Sequence, residues 1–300
     1  TFLQYLTEQE FAETYPEVLG TLEKYPSRRG DPKKIIPYMS GDQNFISPIM
    51  SNPENIFQLG ANAYAKPATA LNILRETVMG RDLFDHAFKT YSKRWMFKHP
   101  TPEDFFRSME DASAVDLDWF WRGWFYTTDF VDIGINSFKK YSVSTSPSNQ
   151  VKEMVEGYGI NSDEMIESIY MVEEKEDQTI NKLRGDRLKV LEDYLKENNN
   201  ESKIPKYFYE IGFEKPGGIV MPIIVKYTYA DGSTDIVKYP VQLWRKNLDQ
   251  VYKVVTSDKE IIEVTIDPNF ETSDINMNNN NWPRKEIKSK FKLFKEKIKG

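Results

Sequence analysis

Cysteine and histidine, the side chains that most often attack, titrate near neutrality or hold zinc, are absent or scarce in this 300-residue chain. It has no cysteine and only two histidines, His86 and His99. That excludes disulfides, thiolate nucleophiles and zinc–thiolate sites. Asp85-His86 has the pattern of a base beside its orienting carboxylate, but both fall on an amphipathic helix, where a surface or capping role suits them better. His99 precedes Pro100, a position that ends helices and shapes turns. The carboxylates of "MEDASAVDLDW" read as helix N-terminal charges, favoured by the helix dipole. There is no H-E-x-x-H, phosphate loop, G-x-S-x-G or dinucleotide fingerprint, and "GYGI" at 157–160 is too short for a glycine-rich loop. What remains is "NAYAKPATALNIL", residues 62–74. Pro67 suits a first helical turn, Leu71, Leu74 and Val78 repeat at helical spacing, and Gly80 can end the helix. None of this grammar accounts for Tyr64 or Lys66.

The elements around this stretch are mainly helical up to about residue 130. Leu3, Leu6, Phe11 and Tyr15 mark a first helix, and a Pro/Ser/Asn/Gly-rich loop covers roughly 30–60. Helices are predicted over 66–79, over "RDLFDHAFKTYSKRW", from Thr101 as N-cap of "TPED", and over 116–129. The aromatics Trp119, Phe120, Trp121, Trp124 and Phe125 could line a pocket, but packing explains them more simply.

From residue 131 the pattern changes to strands. Residues 130–145 alternate at Val131, Ile133 and Ile135. "IVMPIIVKYTYADGSTDIVKYPVQLW" predicts a hairpin turning at Asp231-Gly232, and "YKVVTSDKEIIEVTIDP" predicts a second. With "KYFYEIGF" these suggest a small antiparallel sandwich. Residues 150–200 are charged and helix-like, an insertion by this reading. The last stretch, 283–300, carries eight Lys/Arg against two Glu in a chain of net charge −6. Ile287, Phe291, Phe294 and Ile298 share one helical face there. A terminal helix lying on the acidic body is the preferred reading, and a membrane surface or an acidic partner is the other. The net negative charge gives nucleic acid no footing. With a mean hydropathy of −0.61 and no apolar run near ~18 residues, a transmembrane segment is not expected.

The run "AYAKPATALNILRETVMG…LFDHAFKTYSKRWMFKHPTPEDFFRSMEDAS…DLDWFWRGWFY" resembles the C-terminal helical half of the catalytic domain in the M1 zinc aminopeptidases, which are thermolysin-like gluzincins. The resemblance covers residues 1–145 well and 204–282 more loosely. It implies an α+β multi-domain chain: residues 1–130 are the helical part of the catalytic domain, 131–282 a β-sandwich with the 150–200 insertion, and 283–300 a basic amphipathic helix. It implies hydrolysis of N-terminal residues from peptides by the full-length parent. There Tyr64 would hydrogen-bond the tetrahedral oxyanion, while Lys66 is a helix-start or packing residue. A phenol keeps its proton at neutral pH and can donate. Glutamate would repel the oxyanion and phenylalanine has no donor.

The family's zinc ligands and general-base glutamate would lie upstream of Thr1, so this chain alone is expected to hold no zinc and to be inactive. A fragment that starts inside a domain could self-associate through the surface so exposed. The alternative is a non-catalytic scaffold or protein-binding module derived from the same family. Periplasm or cell envelope is favoured over cytoplasm, although the absence of cysteine suits either.

Overall fold

The structure, a computed structural model, describes residues 1–19, 30–162, 169–197 and 204–285. Helices and two antiparallel sheets share one apolar core. It runs from Phe84, Phe120 and Trp124 on the helices to Ile211, Phe213, Ile223 and Val225 on strands of both sheets. Each fully buried aliphatic or Phe side chain contributes roughly 1.5–3 kcal/mol, so the continuity of this core is what joins the two regions.

The first helix spans Phe2–Thr14 and buries Phe2, Tyr5, Gln9 and Ala12. Leu3, Phe11 and Tyr15 point outward instead. Of the four apolar positions used to recognise this helix, Leu6 alone packs against the core. The polar Gln9 faces inward because its side-chain oxygen accepts from Arg75 at 2.9 Å. The loop expected over 30–60 holds short turns of helix at Pro32–Ile35, Ile36–Met39, Gln43–Phe45 and Pro53–Asn55, three of them opened by an Asp or Asn side chain.

The helix expected over 66–79 starts earlier. A wide π turn, Gly60–Ala65, leads without a break into the α-helix Lys66–Ile73, and a second π turn, Leu74–Met79, ends at Gly80 with φ +85°. Pro67 therefore lies inside a helical run. In a regular α-helix its ring would press on the carbonyl four residues back. Here the Lys66 N–H reaches five residues back to the Ala61 carbonyl, and this widening makes room for the ring.

The next helix is Arg81–Trp95. It packs on Pro102–Ser113, which opens with a complete capping box: the Asp104 N–H donates to Thr101 Oγ1 at 3.3 Å and the Thr101 N–H to Asp104 Oδ2 at 2.9 Å. The fourth predicted helix is a short α turn, Asp118–Trp121, followed by a π turn, Arg122–Tyr126.

The first sheet has the order β2-β1-β3-β6, with β1 Gly134–Ser144, β2 Tyr170–Glu173, β3 Tyr207–Glu214 and β6 Gln250–Ser257. The second has the order β5-β4-β7-β8, with β4 Ile223–Tyr229, β5 Thr234–Tyr239, β7 Ile261–Ile266 and β8 Asn281–Trp282. The Asp231-Gly232 hairpin forms as expected, with Thr228 opposite Thr234 and Gly232 at φ +81°.

The second expected hairpin does not form. β6 pairs with β3 and β7 with β4 and β8, so the chain crosses between sheets at 258–260. That turn has no Asn-Gly or Asp-Gly to supply a primed geometry. The buried Tyr209 hydroxyl of β3 accepts the Ile261 N–H at 2.9 Å and holds the crossing.

The 150–200 stretch is not a purely helical insertion. It contributes the helices Asn149–Gly157 and Asp186–Glu197, and between them β2, which extends the first sheet alongside β1. The basic helix expected over 283–300 lies, beyond residue 285, outside the described residues.

Candidate functional site

Three buried amino-acid side chains fix the helical run that carries Tyr64. The Asn62 amide donates to the Ser47 carbonyl at 2.6 Å and to the Tyr38 hydroxyl at 3.1 Å. The Asn72 amide donates to the Gly30 carbonyl at 2.7 Å. Lys66 is fully buried, and its ammonium donates to the Thr127 carbonyl at 3.1 Å, just past the aromatic π turn. Lys66 thus ties the start of its helix to the end of the Arg122–Tyr126 turn. Burial pushes its pKa down to about 8, against the opposing pull of the Asp129 carboxylate. Asp129 in turn packs against Gly218, where a Cβ would overlap the carboxyl group.

Tyr64 stands two residues from Asn62 and two from Lys66. Both of those are buried, so the helical geometry turns Tyr64 to the opposite face. It is 60% exposed, with no hydrogen bond to the described residues. The result is a phenol presented outward from a turn that is anchored from behind. Lys66 is both a helix-start and a packing residue, the two roles expected from the sequence, and its buried cation spans two helical elements. Nothing in single-sequence periodicity marks such a lysine, because burial of an ammonium is decided by the partner carbonyl 61 residues away.

The other candidates are placed elsewhere. His86 and His99 are exposed. Asp85 does not orient His86. Its carboxylate is gripped by both branches of the Arg75 guanidinium, at 2.6 and 2.8 Å, and Arg75 also reaches Glu76 and Gln9. Glu110 accepts the Leu117 N–H at 2.8 Å, a structural bond at the helix end. Phe120, Trp121, Trp124 and Phe125 are core, while Trp119 stands half-buried beside a surface groove with Trp244 and Leu248. Among the described residues no group of three His, Cys, Asp or Glu side chains is placed to hold a metal ion. The zinc implied by the resemblance therefore has no ligand set among the described residues. No described helix is long and apolar enough to cross a membrane.

No known family model matches the chain, and no curated protein sequence matches it.

Proposed function

We propose that this chain supplies the helical wall and the oxyanion-donating tyrosine of an M1-like zinc aminopeptidase. The observation that carries the reading is Tyr64 itself: an outward phenol on a turn pinned by Asn62 and Lys66, within a run of residues that resembles the family over several elements. A donor held in place before reaction needs no reorganisation as charge develops, which is the condition for electrostatic stabilisation of a transition state. Tyr64 would donate its O–H to the scissile carbonyl oxygen as attack makes that oxygen anionic, and it would keep its proton throughout. No step of the mechanism runs through a metal held by this chain.

The test compares two polypeptides on aminoacyl-arylamide substrates with added zinc. A polypeptide carrying an H-E-x-x-H zinc-ligand segment ahead of this chain is expected to release free amino acid. The 300-residue chain alone is expected to bind no stoichiometric zinc and to release none. Hydrolysis by the chain alone would contradict the reading. An inactive parent at every zinc level would favour the non-catalytic scaffold.

A further inference from the structure

The turn that links the helices Arg81–Trp95 and Pro102–Ser113 carries the most exposed large apolar side chain among the described residues. Phe97 is 100% exposed, and Met96 beside it is 56% exposed. The stretch from 89 to 100, "KTYSKRWMFKHP", holds four Lys/Arg and no Asp or Glu, within a chain of net charge −6. A single exposed apolar residue needs no explanation by itself. This one stands in a turn that is otherwise firmly built. The Trp95 indole N–H donates to Ser108 Oγ at 3.0 Å, and the Lys98 N–H donates to the Trp95 carbonyl at 2.9 Å. The Thr101 capping box pins the far side. Between these anchors Phe97 takes φ +61°. A left-handed backbone favours glycine or asparagine, and a bulky residue there is uncommon. The turn therefore holds a phenylalanine in an unfavoured conformation with its ring in water, and the fold gains no packing from it.

The charges around the tip are the second feature. Arg94 is paired with Asp111 at 2.9 Å. Lys89, Lys93 and Lys98 are exposed and have no ion pair with another described residue. The Lys98 ammonium lies 5.7 Å from the centre of the Trp95 ring. The acids nearest the tip in sequence, Glu103 and Asp104, are already engaged. Glu103 accepts the Tyr126 hydroxyl at 3.0 Å, and Asp104 belongs to the capping box. An apolar tip with free ammoniums beside it matches the surface of an anionic bilayer, whose headgroups take the cations and whose acyl boundary takes the apolar side chains. A folded protein partner suits the tip less well. Two projecting side chains fall far short of the roughly 800 Å² that a stable interface buries on each side.

We propose that the 96–99 turn is a membrane-docking tip: Met96 and Phe97 enter the interface of a bilayer that carries anionic lipid, and Lys93 and Lys98 meet its headgroups. The contact is of the weak, reversible kind that a small apolar anchor with a few cations gives. It does not depend on the aminopeptidase reading.

The experiment uses the full 300-residue chain with vesicles of phosphatidylcholine, alone or mixed in equal parts with phosphatidylglycerol. The chain has no cysteine, so Met96→Cys gives a single attachment point for a polarity-sensitive fluorophore. The expected result is a blue-shifted, brighter emission on the mixed vesicles, no change on phosphatidylcholine alone, and reversal at about 0.5 M salt. Cosedimentation of the unlabelled chain reads the affinity. Phe97→Ser is expected to weaken binding to the mixed vesicles at least ~5-fold, and Lys98→Gln about 5-fold. These positions are exposed, so the substitutions leave the fold intact. Binding with the fluorophore still in water places the contact elsewhere, on the basic 283–300 stretch, and overturns the proposal. Undiminished binding by Phe97→Ser, or equal binding to neutral vesicles, overturns it as well. Absence of binding to either vesicle overturns it in favour of an acidic protein surface as the partner of the tip.

Discussion

Tyr64 and Lys66 are two residues apart and face opposite ways, and their physical roles divide accordingly. Tyr64 is exposed and has no hydrogen bond to the described residues, so Tyr64→Phe removes a hydroxyl that the described fold does not use. Lys66 is the reverse case. Its pKa is about 8 folded and 10.5 as the ordinary value. Below about pH 8 the folded state must hold a buried ammonium, and that cost is present in full. Between about 8 and 10.5 the folded state gives up the proton while the unfolded state keeps it, so stability rises with pH across that window. Relative to Lys66→Met, the wild-type chain is therefore expected to gain roughly 2 kcal/mol between pH 7 and pH 10. Urea unfolding of both proteins at each pH measures this. Above pH 10 the buried phenols Tyr5 and Tyr227, both raised chiefly by burial, pull stability down, and comparison with the variant cancels them. Parallel curves for the two proteins would show that Lys66 is not the buried base described here.

At the scale of elements, what could be read from sequence was local chemistry. The capping box at Thr101 and Asp104 and the turn at Asp231-Gly232 are complete within a few residues, and both form where they are expected. The crossing at 258–260 was not legible. β6 and β7 each read as ordinary strands, and only their partners, β3 and β4, decide that they lie in different sheets. Pro67 does sit in the first turn of the α-helix Lys66–Ile73, and what residue preference did not announce is the π turn that runs into it without a break. The crossing carries its own test. Tyr209→Phe leaves the buried Ile261 N–H without its acceptor, and an unsatisfied buried donor costs about 1–3 kcal/mol. A melting temperature lowered by several degrees is expected. An unchanged one would mean that water replaces the hydroxyl and that the bond does not hold the crossing.

At the scale of the whole molecule two stretches stand out. One is the outward turn at Tyr64. The other is the segment between β7 and β8, whose asparagine run carried no periodic signal. Its polar partners are Asp132, 147 residues from Asn279 in sequence, and the Pro32 carbonyl. Such long-range pairings are invisible to pattern, whereas the helical resemblance around Tyr64 is carried by contiguous residues. The aminopeptidase reading therefore rests on Tyr64, and the most direct measurement compares the wild-type parent with Tyr64→Phe on aminoacyl-arylamides, with bound zinc quantified in each. The reading requires kcat to fall about 100-fold or more, with zinc content and KM little changed. Equal kcat in the two proteins would contradict it and leave Tyr64 a surface residue of the helical run.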